Sequence, residues 1–210
     1  MKILLAGATG LVGRHVLEQA LADPRIVRVV APSRRPLPAH PKLENPLVDF
    51  STLPPDAPWW PVNGVVCTLG TTLRQAGSKE AFRRVDHDYP LVLAQIARAH
   101  GATAFALNSS MGASVHTNNF YLRTKGDVEA AVVACGFPSL TIVRPGLLGG
   151  HRAEFRLGER IGLFALRLLG PLLPRRYRIS PADRVARVLL DAVVSARPGT
   201  HIVGAENFAA

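Results

Sequence analysis

The sequence predicts an α/β chain built on a doubly wound, mostly parallel sheet, and three observations carry that prediction. Short apolar runs alternate with runs of helical period along most of the chain. The first pair, Lys2 to Ala6 and Leu11 to Leu21, is joined by Gly7, Gly10 and Gly13 in the spacing G-x-x-G-x-x-G. No motif recurs at solenoid period, so the alternation reads as one layered domain over 1–210. A chain of 210 residues can bury a full core, and 48% apolar with 19% charged residues describes a globular protein, not a disordered one.

The opening turn is the most informative stretch. Gly7 lets the chain leave the first strand without a Cβ clash, Gly10 lets backbone approach a bound group, and Gly13 lets the helix pack on the strand. The helix then begins with free N–H groups and a positive dipole end, which suits a pyrophosphate. A glycine triplet alone is a weak signal. Its place between a strand and a helix is the context that a Rossmann-type dinucleotide site requires.

Asp23-Pro24 ends the first helix, and Ile26 to Ala31 reads as the second strand. In such a site an acidic residue after that strand holds a ribose 2′-hydroxyl, whereas arginine accommodates a 2′-phosphate. Here the chain offers Ser33, Arg34 and Arg35 with no carboxylate, which favours NADP(H) over NAD(H). The competing reading is an ordinary basic surface loop. Residues Pro36 to Pro61 are proline-rich; Asn45 to Phe50 is expected as a short third strand, with Asp49 and Phe50 beside the adenine. The prolines around Trp59-Trp60 read as surface punctuation. Val62 to Leu69 is a strand running into Gly70, Thr71 and Thr72, small residues suited to a loop over a cofactor.

Arg83 to Ala99 reads as a helix closed by Gly101, with Pro90 tolerated only near its start or as a kink. Ala102 to Leu107 is the next strand, discharging into Asn108-Ser109-Ser110-Met111-Gly112, a polar strand end of the kind that carries active sites. Phe120 to Ala134 is a helix ended by Gly136, and Leu140 to Val143 a strand followed by Arg144, Pro145 and Gly146. Arg152 to Leu173 mixes leucine and arginine, and 147–180 is expected as a small substrate or lid region. Pro181 to Ala196 is a helix with Ser180 as its cap, and Thr200 to Val203 a last edge strand.

Ser109 or Ser110, Tyr121 and Lys125 form the constellation that can carry a reaction. Tyrosine titrates near pH 10 when unperturbed, and a lysine one helical turn away favours the phenolate. A serine hydroxyl can hydrogen-bond a carbonyl oxygen that gains charge. The bland alternative is Tyr121 packed on a neighbour with Lys125 solvated.

The net charge of +10 is compatible with nucleic acid, an anionic membrane or a polyanionic cofactor. No basic run is interleaved with aromatics and no helix-turn-helix pattern occurs, which disfavours nucleic acid. The longest apolar region, Ile161 to Leu173, is broken by Arg167, Gly170 and Pro171 and is too short for a transmembrane span. Cys67 and Cys135 lack metal spacing and read as reduced packing residues. With no basic-then-apolar leader, a cytoplasmic location is expected.

Taken in order, A-G-A-T-G-L-V-G, S-R-R, C-T-L-G-T-T, N-S-S-M-G-A, Y-L-R-T-K-G-D-V-E and R-P-G resemble the atypical short-chain dehydrogenase/reductases. Within them they are similar to the Tat-interacting-protein-like branch, related to nucleoside-diphosphate-sugar epimerases. The resemblance implies that Gly7, Gly10 and Gly13 form the pyrophosphate turn, lined by Thr9 and Leu11, with Arg34 and Arg35 on the 2′-phosphate. It implies Leu69, Gly70 and Thr71 beside the cofactor, and Pro145 with Gly146 edging the nicotinamide. Tyr121 would be the general acid/base and Lys125 its partner and a ribose ligand. Ser110, or Ser109 by a one-residue shift, would be the oxyanion donor. The function implied is hydride transfer to or from a small carbonyl or alcohol substrate. Alternatives are a non-catalytic NADPH-binding regulatory protein and an epimerase-like enzyme, although the small C-terminal region disfavours a bulky nucleotide-sugar. The Arg152–Arg178 region could also serve as a contact in a homodimer.

Overall fold

The computed structural model describes residues 1–149 and 179–208. Nine strands are present among them: β1 (Lys2–Ala6), β2 (Arg28–Val30), β3 (Leu43–Glu44), β4 (Gly64–Cys67), β5 (Ala104–Asn108), β6 (Ser139–Val143), β7 (Leu148–Gly149), β8 (Ser180–Pro181) and β9 (Gly199–Val203). Seven form one sheet in the order β3-β2-β1-β4-β5-β6-β9, and every pairing in it is parallel. In register, Leu4 lies opposite both Val30 and Val65, and Phe105 opposite Leu140. Strand order reverses direction at β1, so the loops after β1 and β4 diverge there and leave the crevice in which such sheets bind ligands.

The central strands β1, β4 and β5 are largely apolar because both faces of the sheet are covered there. Leu4 and Ala6 of β1 join Phe105 and Leu107 under α4 (Tyr89–Ala99) and α5 (Phe120–Ala134). Ile3 and Leu5 join Val66 under α1 (Leu11–Ala22) and α6 (Ala182–Ser195). Each fully buried leucine on these faces contributes roughly 1.5–3 kcal/mol. Two shorter helices, α2 (Leu73–Ala76) and α3 (Lys79–Arg83), lie between β4 and α4.

Several sequence expectations are corrected. The third strand is Leu43–Glu44, not Asn45 to Phe50. Pro46 has no N–H to continue the ladder, so only an isolated bridge between Ser33 and Leu47 follows, and Phe50–Thr52 forms a 3₁₀ turn capped by the Asp49 carboxylate. Pro54, Pro55, Pro58 and Pro61 are exposed, as expected, while Trp59 and Trp60 beside them are buried, 4.3 Å apart between ring centroids, with Trp60 Nε1 donating to the Pro54 carbonyl. The expected helix from Arg83 begins earlier, at Lys79, and is interrupted by a π turn at Arg84–Asp88, where the Tyr89 N–H bonds the Arg84 carbonyl. Pro90, in the first turn of α4, cannot bond the carbonyl of Asp86, which loosens the helix at that point. Ser180 does not cap α6; Pro181 takes the cap position, and the Ser180 hydroxyl accepts the Gly146 N–H. The expected amphipathic and lid region lies mostly outside the described residues.

Candidate functional site

The turn after β1 has no room for side chains on its inner side. Gly7 sits at φ +90°, and a Cβ on it would fall 2.7 Å from the Thr68 backbone. A Cβ on Gly13 would fall 2.0 Å from the Gly7 carbonyl oxygen, so this glycine is required by helix-to-turn packing. The Gly10 N–H donates to the same oxygen at 2.9 Å. Gly10 is the cap of α1, yet no side chain satisfies the first N–H groups, and the first turn carries no carboxylate. That leaves a concave set of donors at the positive end of a helix, chemistry that fits a pyrophosphate.

A cavity of about 540 Å³ extends from this turn along the carboxyl edge of the sheet. Gly7, Thr9 and Gly10 form one wall, and Ser33, Arg34 and Arg35 close the end beyond β2. Asp49 and Phe50 flank it, and Leu69, Gly70 and Thr71 line the stretch beyond β4. Of the other expected cofactor residues, Leu11, Gly13, Lys125, Pro145 and Gly146 are not on its walls, nor are Ser109, Ser110 and Tyr121.

At the β2 end the expectation changes in one detail. The Ser33 hydroxyl is already committed, donating to the Arg35 carbonyl at 2.5 Å and accepting from Asn45 Nδ2 at 2.8 Å. It shapes the loop and is not a spare phosphate donor, whereas Arg34 and Arg35 are both exposed. The Asp49 carboxylate is held below the usual range by the Ser51 N–H and hydroxyl, with the charge of Arg34 adding to them. Phe50 is buried and stacks on Tyr89, centroids 6.1 Å apart.

Lys125 is not solvated, as the bland reading required, but buried, with Nζ 2.7 Å from Asp86 Oδ1. The other Asp86 oxygen accepts the Thr71 N–H at 2.8 Å. Burial would strip the lysine of its charge, but Asp86, followed by Tyr121, outweighs it, and the ammonium is held above the ordinary lysine range. Gly70, on the cavity wall, lies directly against this pair: a Cβ there would lie 3.3 Å from Asp86 Oδ1 and 3.8 Å from Lys125 Nζ. Tyr121, half-buried one turn away, packs its ring 5.7 Å from that of Phe82.

The two serines differ. Ser109 is buried and donates its hydroxyl to Glu129, which is also ion-paired with Arg144. Ser110 is half-buried, its hydroxyl making only a 3.4 Å contact with the Met111 carbonyl. Asn108 Oδ1, at the end of β5, is the one buried side-chain oxygen or nitrogen without a partner among the described residues. Burial pushes the Cys67 thiol up to about 11, in keeping with a packing role. Among the described residues no group of three His, Cys, Asp or Glu side chains could hold a metal ion, and no helix is long and apolar enough to cross a membrane.

Asp86 was missed by sequence reasoning. The only signal was Pro90 four residues on, which marks a broken helical bond at Asp86 without saying what the carboxylate touches.

No family model matches the chain. Among curated proteins it is 36% identical over 203 residues to Protein HTATIP2 of Rattus norvegicus, covering 94% of this chain and 82% of that protein. It is 36% identical over 178 residues to Protein fmp52, mitochondrial, of Emericella nidulans, covering 80% and 76%. Among solved structures, MoeE5 in complex with UDP-glucose and NAD superposes with a TM-score of 0.74 at 16% identity, over 97% of this chain and 76% of that one. A putative NAD-dependent epimerase/dehydratase from Bacillus halodurans gives 0.66 at 19% identity, over 96% and 92%. The cytoplasmic expectation does not stand: the fungal relatives carry the word mitochondrial in their names.

Proposed function

The chain belongs to the HTATIP2 and fmp52 family, the Tat-interacting-protein-like branch of the atypical short-chain dehydrogenase/reductases, and from that premise we propose an NADP(H)-dependent oxidoreductase acting on a small carbonyl or alcohol. The observation that carries this reading is the single cavity joining the glycine turn, the Arg34–Arg35 end and the Gly70 gap above Lys125. The order of its walls suits a dinucleotide laid across the strand ends, with phosphate at the α1 N-terminus. Two guanidiniums and no free carboxylate after β2 support a 2′-phosphate over a bare ribose.

When bound, the nicotinamide supplies or accepts the hydride. This chain's own residues would handle the proton and the charge. Tyr121 would give its phenolic proton to the carbonyl oxygen in reduction and take it back in oxidation. Lys125 would support the phenolate and hold ribose hydroxyls through the Gly70 gap, and Ser110, whose hydroxyl is less committed than that of Ser109, would donate to the same oxygen. The relatives' names support a mitochondrial setting, which subcellular fractionation tests.

Fluorescence titration should show saturable NADPH binding that is tighter than NADH binding. Arg34→Ala should weaken NADPH at least about tenfold, the equivalent of one charge-assisted hydrogen bond, and leave NADH nearly unchanged. Tyr121→Phe should retain NADPH binding and abolish turnover of whichever carbonyl a substrate panel identifies. NADPH titration without saturation would refute the reading. A second reading, an NADPH-binding regulator, draws on the engagement of Lys125 by Asp86; tight binding with no turnover across the panel would favour it.

A further inference from the structure

Asp86 carries more structure than one carboxylate usually does. It is 1% exposed, sits in the π turn before α4, and binds two different elements at once. One oxygen meets Lys125 of α5 at 2.7 Å; the other takes the Thr71 N–H of the loop that lines the cavity. Interruptions of this kind in helices recur where a side chain must be aimed. A buried lysine beside a cavity would keep its charge without such help only at a large desolvation cost. The groups facing the pair are Tyr121 on α5 and Cys67 at the end of β4, both within electrostatic reach of Lys125. Cys67 also lies within reach of Asp86.

We propose that Asp86 is a positioning residue of this site: it aims the Lys125 ammonium at the Gly70 gap and, by sharing that charge, limits how strongly Lys125 acts on the Tyr121 phenol. The proposal rests on the reading of Tyr121 and Lys125 as an acid–base pair. With cofactor bound, the same ammonium would be shared between the Asp86 carboxylate and ribose hydroxyls, with no change in the charge of either side chain. The Thr71 bond links the same carboxylate to the cavity wall, so loop position and lysine position are set together.

The test separates charge from shape. Asp86→Asn keeps an oxygen for the Thr71 N–H and the same volume but removes the negative charge. Tyrosinate absorbance is titrated against pH in each protein and in its matched Tyr121→Phe version, the difference isolating Tyr121 without any substrate. With the aspartate charge gone, the unbalanced lysine should move the midpoint of Tyr121 ionisation down by about one pH unit or more. A midpoint unchanged in Asp86→Asn would overturn the proposal, since a merely structural carboxylate is replaced by the amide. Should that variant not fold, Lys125→Met is compared with the double variant Asp86→Asn/Lys125→Met. Because Asp86 acts through Lys125, the two midpoints should agree, and a midpoint about one unit lower in the double variant would overturn the proposal by showing that the carboxylate acts on the phenol without the lysine. NADPH affinity, measured separately on the wild-type protein, distinguishes failure of the cofactor reading from failure of this one.

Discussion

Gly13 shows how little tolerance the turn has at the scale of one residue. A methyl group there would fall 2.0 Å from the Gly7 carbonyl oxygen, which is backbone and cannot rotate away. Gly13→Ala is therefore expected to cost about 2–3 kcal/mol in urea unfolding, by forced displacement of the helix. Gly10→Ala should cost less, because its nearest clash is at 3.3 Å. The contrast assigns the two glycines different work: Gly13 holds the helix on the turn, and Gly10 leaves space beside it. Ser109 teaches the same lesson among the catalytic candidates. Its hydroxyl is absorbed by Glu129, whose other partner is Arg144, so a serine that sequence alone could not separate from its neighbour is distinguished by its hydrogen bond.

At the scale of elements, α5 is placed by its glycine. A Cβ on Gly126 would lie 2.3 Å from the Ser114 backbone carbon, so the helix lies directly against the 114–115 segment. Gly126→Ala should push α5 outward, destabilising the protein by about 2 kcal/mol and impairing turnover more than cofactor affinity, because Tyr121 and Lys125 ride on the same helix. Steady-state kinetics beside an NADPH titration would check this. The turn between α1 and β2 offers a pH test. The Asp23 carboxylate accepts the Arg25 guanidinium and N–H, whose bonds hold it down at about 2, and Arg25 also reaches Asp191 of α6. A depressed carboxylate contributes stability that is present above its unfolded value, near 4, and lost as pH falls through about 2. Asp23→Asn should thus cost about 0.5–1 kcal/mol at neutral pH, the modest value of an ion pair whose arginine is exposed to solvent. Its unfolding curve should converge on that of the wild type as pH falls from 4 toward 2.

Over the whole molecule, stability and chemistry are kept apart. The core lies between the sheet and its two helical layers, and the candidate site lies along the carboxyl edge, on the loops that leave the strands. Leu189→Ala, at a fully buried position on α6, should cost about 3 kcal/mol in urea unfolding. NADPH affinity should change little, since Leu189 packs on the sheet and not on the cavity.

The parts of this protein that are written in local order are legible in its residues alone. Strand and helix alternate in hydrophobic period, the glycine turn must accommodate close backbone contacts, and Tyr121 and Lys125 must share a face because the helix repeats about every four residues. Packing in three dimensions sets what those residues meet across long separations in the chain. It turned Ser109 to Glu129, buried Trp59 and Trp60, and set Lys125 against Asp86. Periodicity reports which side of an element faces inward. Which atom waits on the other side depends on how the layers pack, and no local pattern encodes that.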